Sequence, residues 1–201
     1  AGLNLKKYFD EAKTIEPDDV VCASEMSDDA WNEISKGPED KIGTLLFGWD
    51  FDDFQFRLRP REGTIWSGYN SHGKTTLLRQ LVAWLAANGE PCFVGSYEDS
   101  PTRFIAKLTR QAAGRMLTDA DRGEYEHIKE TLMQNVIMHK IDGIADWRKF
   151  LEHAEYAVRR YGIKHAILDN ISSTNLDLDD KKAFDDFAKE CQSFWKKTGA
   201  H

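Results

Sequence analysis

The sequence contains little cysteine, and its cysteines form no recognisable pattern. Its 201 residues include three, Cys22, Cys92 and Cys191, which are too few and too widely spaced for a disulfide framework or a zinc site. We therefore predict free thiols in a reducing, cytoplasmic environment. The longest apolar run, residues 81–87, is far too short to cross a bilayer, and the first residues lack the apolar core of a secretory signal. These absences argue against a membrane or secreted protein.

The sequence also lacks an excess of positive charge. Lysine and arginine total 27 against 34 acidic residues, which gives a net charge of -7. A protein that coats nucleic acid is strongly basic, so any contact of this chain with nucleic acid must be local. The acidic excess lies in residues 1–62, which hold 15 acids and 8 bases, whereas residues 63–201 are neutral. We therefore interpret residues 1–62 as an acidic linker with small elements, and residues 63–201 as a separate core.

From residue 63 onward, short apolar runs alternate with segments of helical periodicity. In the segment 74–87, for example, leucines recur on one helical face, and Gly89 suits the end of that helix. Strands are predicted at 64–67, 92–97, 136–141 and 165–168, and helices at 74–87, 101–114, 119–135, 145–161 and 183–195. Strands separated by helices and short links predict an α/β fold, with a mostly parallel sheet flanked by helices.

A glycine-bounded loop between the first predicted strand and helix matches the phosphate-binding pattern G-x-x-x-x-G-K-[ST]. Gly68 and Gly73 allow the backbone to curl so that successive amides point at an anion, and the helix that follows adds its positive end. We predict that Lys74 neutralises the β- and γ-phosphates of ATP or another nucleoside triphosphate, and that the Thr75 hydroxyl binds Mg²⁺. The predicted nucleotide-binding residues are Gly68, Tyr69, Asn70, Ser71, His72, Gly73, Lys74, Thr75 and Thr76.

Two acidic residues stand where predicted strands end. Because ligands of parallel sheets gather at the carboxyl ends of strands, Asp169 is a candidate for the second Mg²⁺ contact. By the same rule, Glu98 is a candidate for the catalytic base that polarises an attacking water. The alternatives are that Asp169 merely ends a strand, and that Glu98 and Asp99 only favour the start of the helix after Ser100. The residues alone leave these alternatives open.

Three segments together resemble the RecA-like core of hexameric replicative DNA helicases, the group of DnaB-type helicases, phage helicase-primases and the mitochondrial Twinkle helicase. The segments are 66–76, 97–100 and 168–172, which stand in that family's order, and the resemblance covers about residues 60–201. It implies a RecA-like P-loop NTPase fold in which Lys74 and Thr75 bind nucleotide and magnesium. It also implies that Asp169 is the magnesium-side acid and Glu98 the catalytic base.

The resemblance implies partners as well. They are single-stranded DNA, five further copies in a hexameric ring, and a primase-like or other N-terminal domain or partner joined through the acidic linker, in the cytoplasm of a bacterial or phage-infected cell. In that family the core continues, beyond the segment that matches Thr198–His201, into a strand with a polar sensor residue and then to an arginine finger. The resemblance therefore implies a core that is truncated on its C-terminal side.

The favoured hypothesis is an ATP-dependent replicative DNA helicase motor, in which Mg²⁺-dependent hydrolysis drives translocation on single-stranded DNA. Two alternatives are a RecA-like recombination or repair ATPase, and a truncated module that binds nucleotide or a partner without turnover.

Overall fold

The computed structural model describes residues 21–35, 43–47, 56–69, 71–141 and 143–201. The chain divides into two compact units, residues 1–41 and 42–201. In the first unit, a 3-10 turn at Ala23–Met26 leads into helix α1, Ser27–Ser35, where Trp31 and Ile34 are exposed. Much of the predicted linker lies outside the described residues, and its boundary at residue 62 stays a prediction.

The second unit is built on a three-stranded parallel sheet. Its strands are β3 (Cys92–Ser96), β4 (Val136–Met138) and β5 (His165–Asp169), in the order β4-β3-β5. Cys92 is paired with both Val136 and His165, and Ser96 is paired with Asp169. A separate antiparallel pair is formed by β1 (Thr44–Leu45) and β2 (Arg57–Leu58). The predicted α/β fold with a parallel sheet is therefore confirmed.

All five predicted helices form, although only the one at 74–87 has both of its predicted ends. They are α2 (Lys74–Ala87), α3 (Pro101–Ala113), α4 (Arg122–Thr131), α5 (Trp147–Tyr161) and α6 (Lys181–Thr198). The Ser100 side chain accepts from the backbone N–H of Arg103 and so caps α3, while Gly114 ends it in the left-handed conformation. The segment 119–135, predicted as one helix, is α-helical only in its middle, at α4. A 3-10 turn stands at each end of it.

The core fills both faces of the sheet, because alternate residues of β3 point to opposite sides. Cys92 and Val94 pack with α2, α3 and α4, where Phe104 and Leu108 are fully buried. Phe93 packs on the other side against Phe150 of α5 and the end of α6. Helices thus cover both faces of the sheet, and the ends of its strands remain accessible. In the described part of the chain, no helix is long and apolar enough to cross a membrane.

The strand predicted at 64–67 is wrong. Ile65 is 72% exposed, and the segment has no strand conformation. The reason lies at the outer edge of β5, where the Ala166 N–H donates to the carbonyl of His201 at 2.8 Å and the His201 N–H donates to the carbonyl of Lys164 at 2.8 Å. His201 therefore takes the ladder position beside Ala166 of β5. A strand forms only with a backbone partner, and apolar residues alone do not supply one.

A buried histidine lies beside β3 and β4. His139 is 5% exposed, and its Nδ1 is 2.8 Å from the Tyr97 hydroxyl. Its Nε2 is 2.9 Å from Nδ1 of His153. Burial, and then repulsion by His153, lowers the pKa of His139 to about 4. The folded protein therefore favours the neutral imidazole, whereas the unfolded chain takes up a proton near its ordinary pKa of 6.5.

We expect the free energy of unfolding to fall as the pH decreases from about 6.5 to about 4, because the unfolded chain then binds protons that the fold excludes. His139 contributes a slope of at most about 1.4 kcal/mol per pH unit, and its contribution is complete above pH 6.5. Burial also lowers the pKa of His165 and of His201, and both act in the same direction.

Urea titrations across this pH interval should show a flatter slope for His139→Gln than for the parent. The matched control is His127→Gln, the same substitution at an exposed position of α4, which should keep the parental slope. If His139→Gln kept the parental slope, His139 would not be a source of this pH dependence.

Candidate functional site

The glycine-bounded loop turns sharply before α2. Gly73 has φ +81° and Ser71 has φ +64°, both in the left-handed region, and the His72 N–H donates to the Tyr69 carbonyl at 3.4 Å. A side chain at position 73 would be strained by that φ, which accounts for the second glycine of the motif. Gly68 is not left-handed; a Cβ there would lie 3.6 Å from the stem of Lys74. Asn70 lies outside the described residues.

The Lys74 ammonium lies across this loop. Its Nζ donates to the carbonyl of Gly68 at 2.6 Å and to the carbonyl of Tyr69 at 2.9 Å. Lys74 is also the first residue of α2, whose first-turn amides have no partner within the helix. The loop therefore presents a cation and the positive end of a helix together, an arrangement that binds phosphate.

Beside the loop, the Thr75 hydroxyl contacts two carboxylates. Its Oγ1 donates to Oδ1 of Asp169 at 3.2 Å and lies 3.5 Å from Oε2 of Glu98. The two acids meet there because β3 and β5 are parallel neighbours, and the Tyr97 N–H donates to the Asp169 carbonyl at 2.7 Å. The structure thus brings Thr75, the neighbour of Lys74 in the loop, together with Glu98 and Asp169, which lie 23 and 94 residues further along the chain.

Asp169 is the buried member of the acidic pair. It is 5% exposed, and its Oδ2 is buried without a hydrogen-bond partner. Burial raises the pKa of Asp169; the hydrogen bond from Thr75 opposes this shift, and the neighbouring Glu98 reinforces it. A buried carboxylate oxygen without a partner is costly, and a bound cation would remove that cost.

The oxygen donors at this point fit Mg²⁺. This ion prefers carboxylate and hydroxyl oxygens, is bound through one or two carboxylates, and completes its shell with water and phosphate oxygens. Among the described residues, no group of three His, Cys, Asp or Glu side chains could hold a metal alone. Thr75 and Asp169 would therefore hold the ion together with a bound triphosphate.

The remaining predicted loop residues contribute differently. Tyr69 and His72 are exposed, with their rings edge to face at 5.6 Å. Thr76 faces the helix pair instead of the loop: its hydroxyl accepts from Arg79 at 3.3 Å, and its carbonyl accepts from Gln111 at 3.0 Å. Thr76 therefore helps to fix α2 against α3.

The sequence reasoning missed a buried ion pair behind the loop. Asp99, interpreted above as a possible helix-start charge, bonds Nη1 of Arg79 at 3.3 Å and Nζ of Lys107 at 2.7 Å. The side chains of Arg79 and Asp99 are only 9% and 11% exposed. The sequence did contain one indication of this pair, because Arg79 is the only arginine in the leucine-rich helix α2. This pair ties that helix to the segment that carries Glu98.

The parallel sheet, the loop that opens α2 and the acids at the strand ends define a P-loop NTPase. A family model described as an AAA domain matches residues 54–201, and the chain belongs to this family. It is therefore a nucleotide-binding domain of the P-loop ATPase class. A comparison with curated proteins found no match. The narrower assignment to replicative helicases stays a prediction.

Breaking the ion pair behind the loop should destabilise the protein strongly. Asp99→Asn leaves the buried guanidinium of Arg79 without its counter-charge, and the loss should be about 3 kcal/mol in the free energy of unfolding. Lys107→Ala removes a half-exposed partner of the same carboxylate and should cost less than about 1 kcal/mol. Urea titrations of the two variants measure both losses in the free energy of unfolding. Equal losses would contradict the prediction that the buried pair matters more than the contact with Lys107.

Proposed function

We propose that the chain is the motor domain of a replicative DNA helicase, which hydrolyses ATP with Mg²⁺ and moves along single-stranded DNA. The observation that carries the proposed hydrolysis is the convergence of Thr75, Glu98 and Asp169 beside the loop that Lys74 spans. Membership of the AAA-domain family supports the ATPase part. The helicase part is supported by the three segments that resemble that group.

In the binding step, phosphate oxygens would replace the backbone carbonyls that Lys74 now contacts. The ammonium exchanges two neutral acceptors at 2.6 and 2.9 Å for charged ones, which attract it more strongly. The first-turn amides of α2 bind the same phosphates. The turn at Gly73 that the motif requires is already formed.

Thr75 and Asp169 would hold Mg²⁺ between the loop and β5. Bound there, the ion neutralises charge on the β- and γ-phosphate oxygens. The hydroxyl and the carboxylate are already 3.2 Å apart, and the partnerless Oδ2 of Asp169 is the oxygen that gains most. The buried position keeps this carboxylate fixed.

Glu98 would act on the attacking water. It lies just beyond β3, is exposed, and directs its two oxygens towards Thr75 and Asn170. A carboxylate at this point accepts a proton from water as the oxygen attacks the γ-phosphorus, and the bond to the ADP oxygen breaks. The two acids thus have different tasks because one is buried and the other is open.

Two substitutions separate binding from hydrolysis. Glu98→Gln removes the proton acceptor with little change in shape, so kcat should fall by about 10²–10⁴-fold while the Kd for ATP changes little. Lys74→Ala removes the cation of the loop and should abolish ATP binding itself. Phosphate release and binding of a fluorescent ATP analogue measure the two effects. Parental turnover in Glu98→Gln would show that another group is the base.

The helicase part is tested on a forked DNA duplex. We expect the protein, assembled as a ring, to separate the strands only with ATP and Mg²⁺, and Glu98→Gln to bind the same fork without separating it. Strand pairing in place of separation would favour the recombination ATPase. ATP binding without phosphate release, with or without single-stranded DNA, would favour a module without turnover.

A further inference from the structure

The carboxamide of Asn170, directly after β5, contacts the proposed base. Its Nδ2 donates to Oε1 of Glu98. The other oxygen of that carboxylate lies at 3.5 Å from the Thr75 hydroxyl, the outer limit of a hydrogen bond. Asn170 therefore makes the closer of these two contacts with an otherwise exposed side chain. Asn170 belongs neither to the phosphate loop nor to the pair of residues proposed to hold Mg²⁺.

The orientation of the Asn170 amide follows from the chemistry of its neighbours. Its Oδ1 accepts from the backbone N–H of Ser173 at 2.8 Å and from the hydroxyl of Ser172 at 2.7 Å. A backbone N–H can only donate, so the amide oxygen must face the turn. The amide nitrogen must then face Glu98, where a carboxylate can only accept. The reversed amide would place two donors together and two acceptors together.

The turn that holds Asn170 is itself fixed to the body of the fold. It is the 3-10 turn Ile171–Ser173, after which Thr174 pairs with Ala145 and the Asn175 N–H donates to the Ala145 carbonyl at 2.7 Å. Ala145 is 2% exposed and stands two residues before α5. The amide thus stands on a rigid support, whereas the Glu98 side chain has several free rotations.

We propose that Asn170 is a positioning residue, which holds the Glu98 carboxylate towards the place where the attacking water must stand. This inference rests on the proposed ATP hydrolysis. A positioned base raises the rate of the chemical step and leaves the binding of nucleotide unchanged. Loss of one charge-assisted hydrogen bond to the base should lower kcat by about tenfold.

Asn170→Ser is the most selective variant. A serine hydroxyl can still accept from the Ser173 N–H, so the turn keeps its cap, while the amide donor is lost without added charge. We expect kcat for ATP to fall about tenfold and the Kd for a fluorescent ATP analogue to stay within about twofold. The matched control is Asn88→Ser, which removes an exposed amide donor to the Trp84 carbonyl at the end of α2 and should keep the parental kcat.

A second variant guards against a folding defect. Asn170→Asp has the same shape and keeps an oxygen for the turn, but it replaces the donor to Glu98 by an acceptor. It should lower kcat at least as much as Asn170→Ser, with a melting temperature close to the parent's. Parental kcat in both variants would overturn the inference, and so would a loss of activity that saturating ATP restores.

A double-mutant cycle then shows whether Asn170 acts through Glu98. Single-turnover hydrolysis of labelled ATP is measured for Asn170→Ser alone, for Glu98→Gln alone and for the double variant. If Asn170 only positions the base, its substitution should change the residual rate of Glu98→Gln by less than about twofold. Full additivity of the two losses would overturn the inference.

The controls keep the two proposals distinguishable. A parent that releases phosphate, together with position-170 variants that do so equally well, refutes the positioning role and leaves the proposed hydrolysis standing. A parent that releases none removes the proposed hydrolysis and this inference with it.

Discussion

The parallel pairing of β3 with β5 is the constraint on which the rest of the site depends. With Ser96 opposite Asp169, the two strands end at the same level, and the Tyr97 N–H reaches the Asp169 carbonyl at 2.7 Å. A register shifted by one residue would send Asp169 to the other face of the sheet. Asp169 would then no longer stand beside Thr75. The chemistry of the site is therefore set by backbone hydrogen bonds between strands that are far apart in sequence.

The same pairing gives the two carboxylates different environments. β3 is buried along its whole length because helices cover both faces, and Asp169 at the last position of its neighbour β5 is buried with it. Glu98 stands two residues beyond the end of β3, where the helices no longer shield the chain. One acid is thus fixed and poorly hydrated, which suits a metal contact. The other is open to water, which suits a base.

Local sequence was sufficient for the parts of the fold that depend on local interactions. The phosphate loop, helix α2 and the cap at Ser100 are specified by neighbouring residues, and the structure forms all three. Residues 64–67 were predicted wrongly because a strand depends on a partner that the pattern does not contain. The Arg79–Asp99 pair and the contact of Asn170 with Glu98 span 20 and 72 residues. No periodicity could supply these contacts.

Charge balance explains why the loop and the strand ends must act together. A bound triphosphate would bring several negative charges next to Glu98 and Asp169, and Lys74 with the end of α2 would neutralise only part of them. In the proposed mechanism, the Asp169 carboxylate and the hydroxyl of Thr75 would provide the place where a divalent cation offsets the rest. A cation held there also lowers the repulsion between the two acids. In the proposed mechanism, the neutral amide of Asn170 would keep the Glu98 side chain in place beside the phosphates.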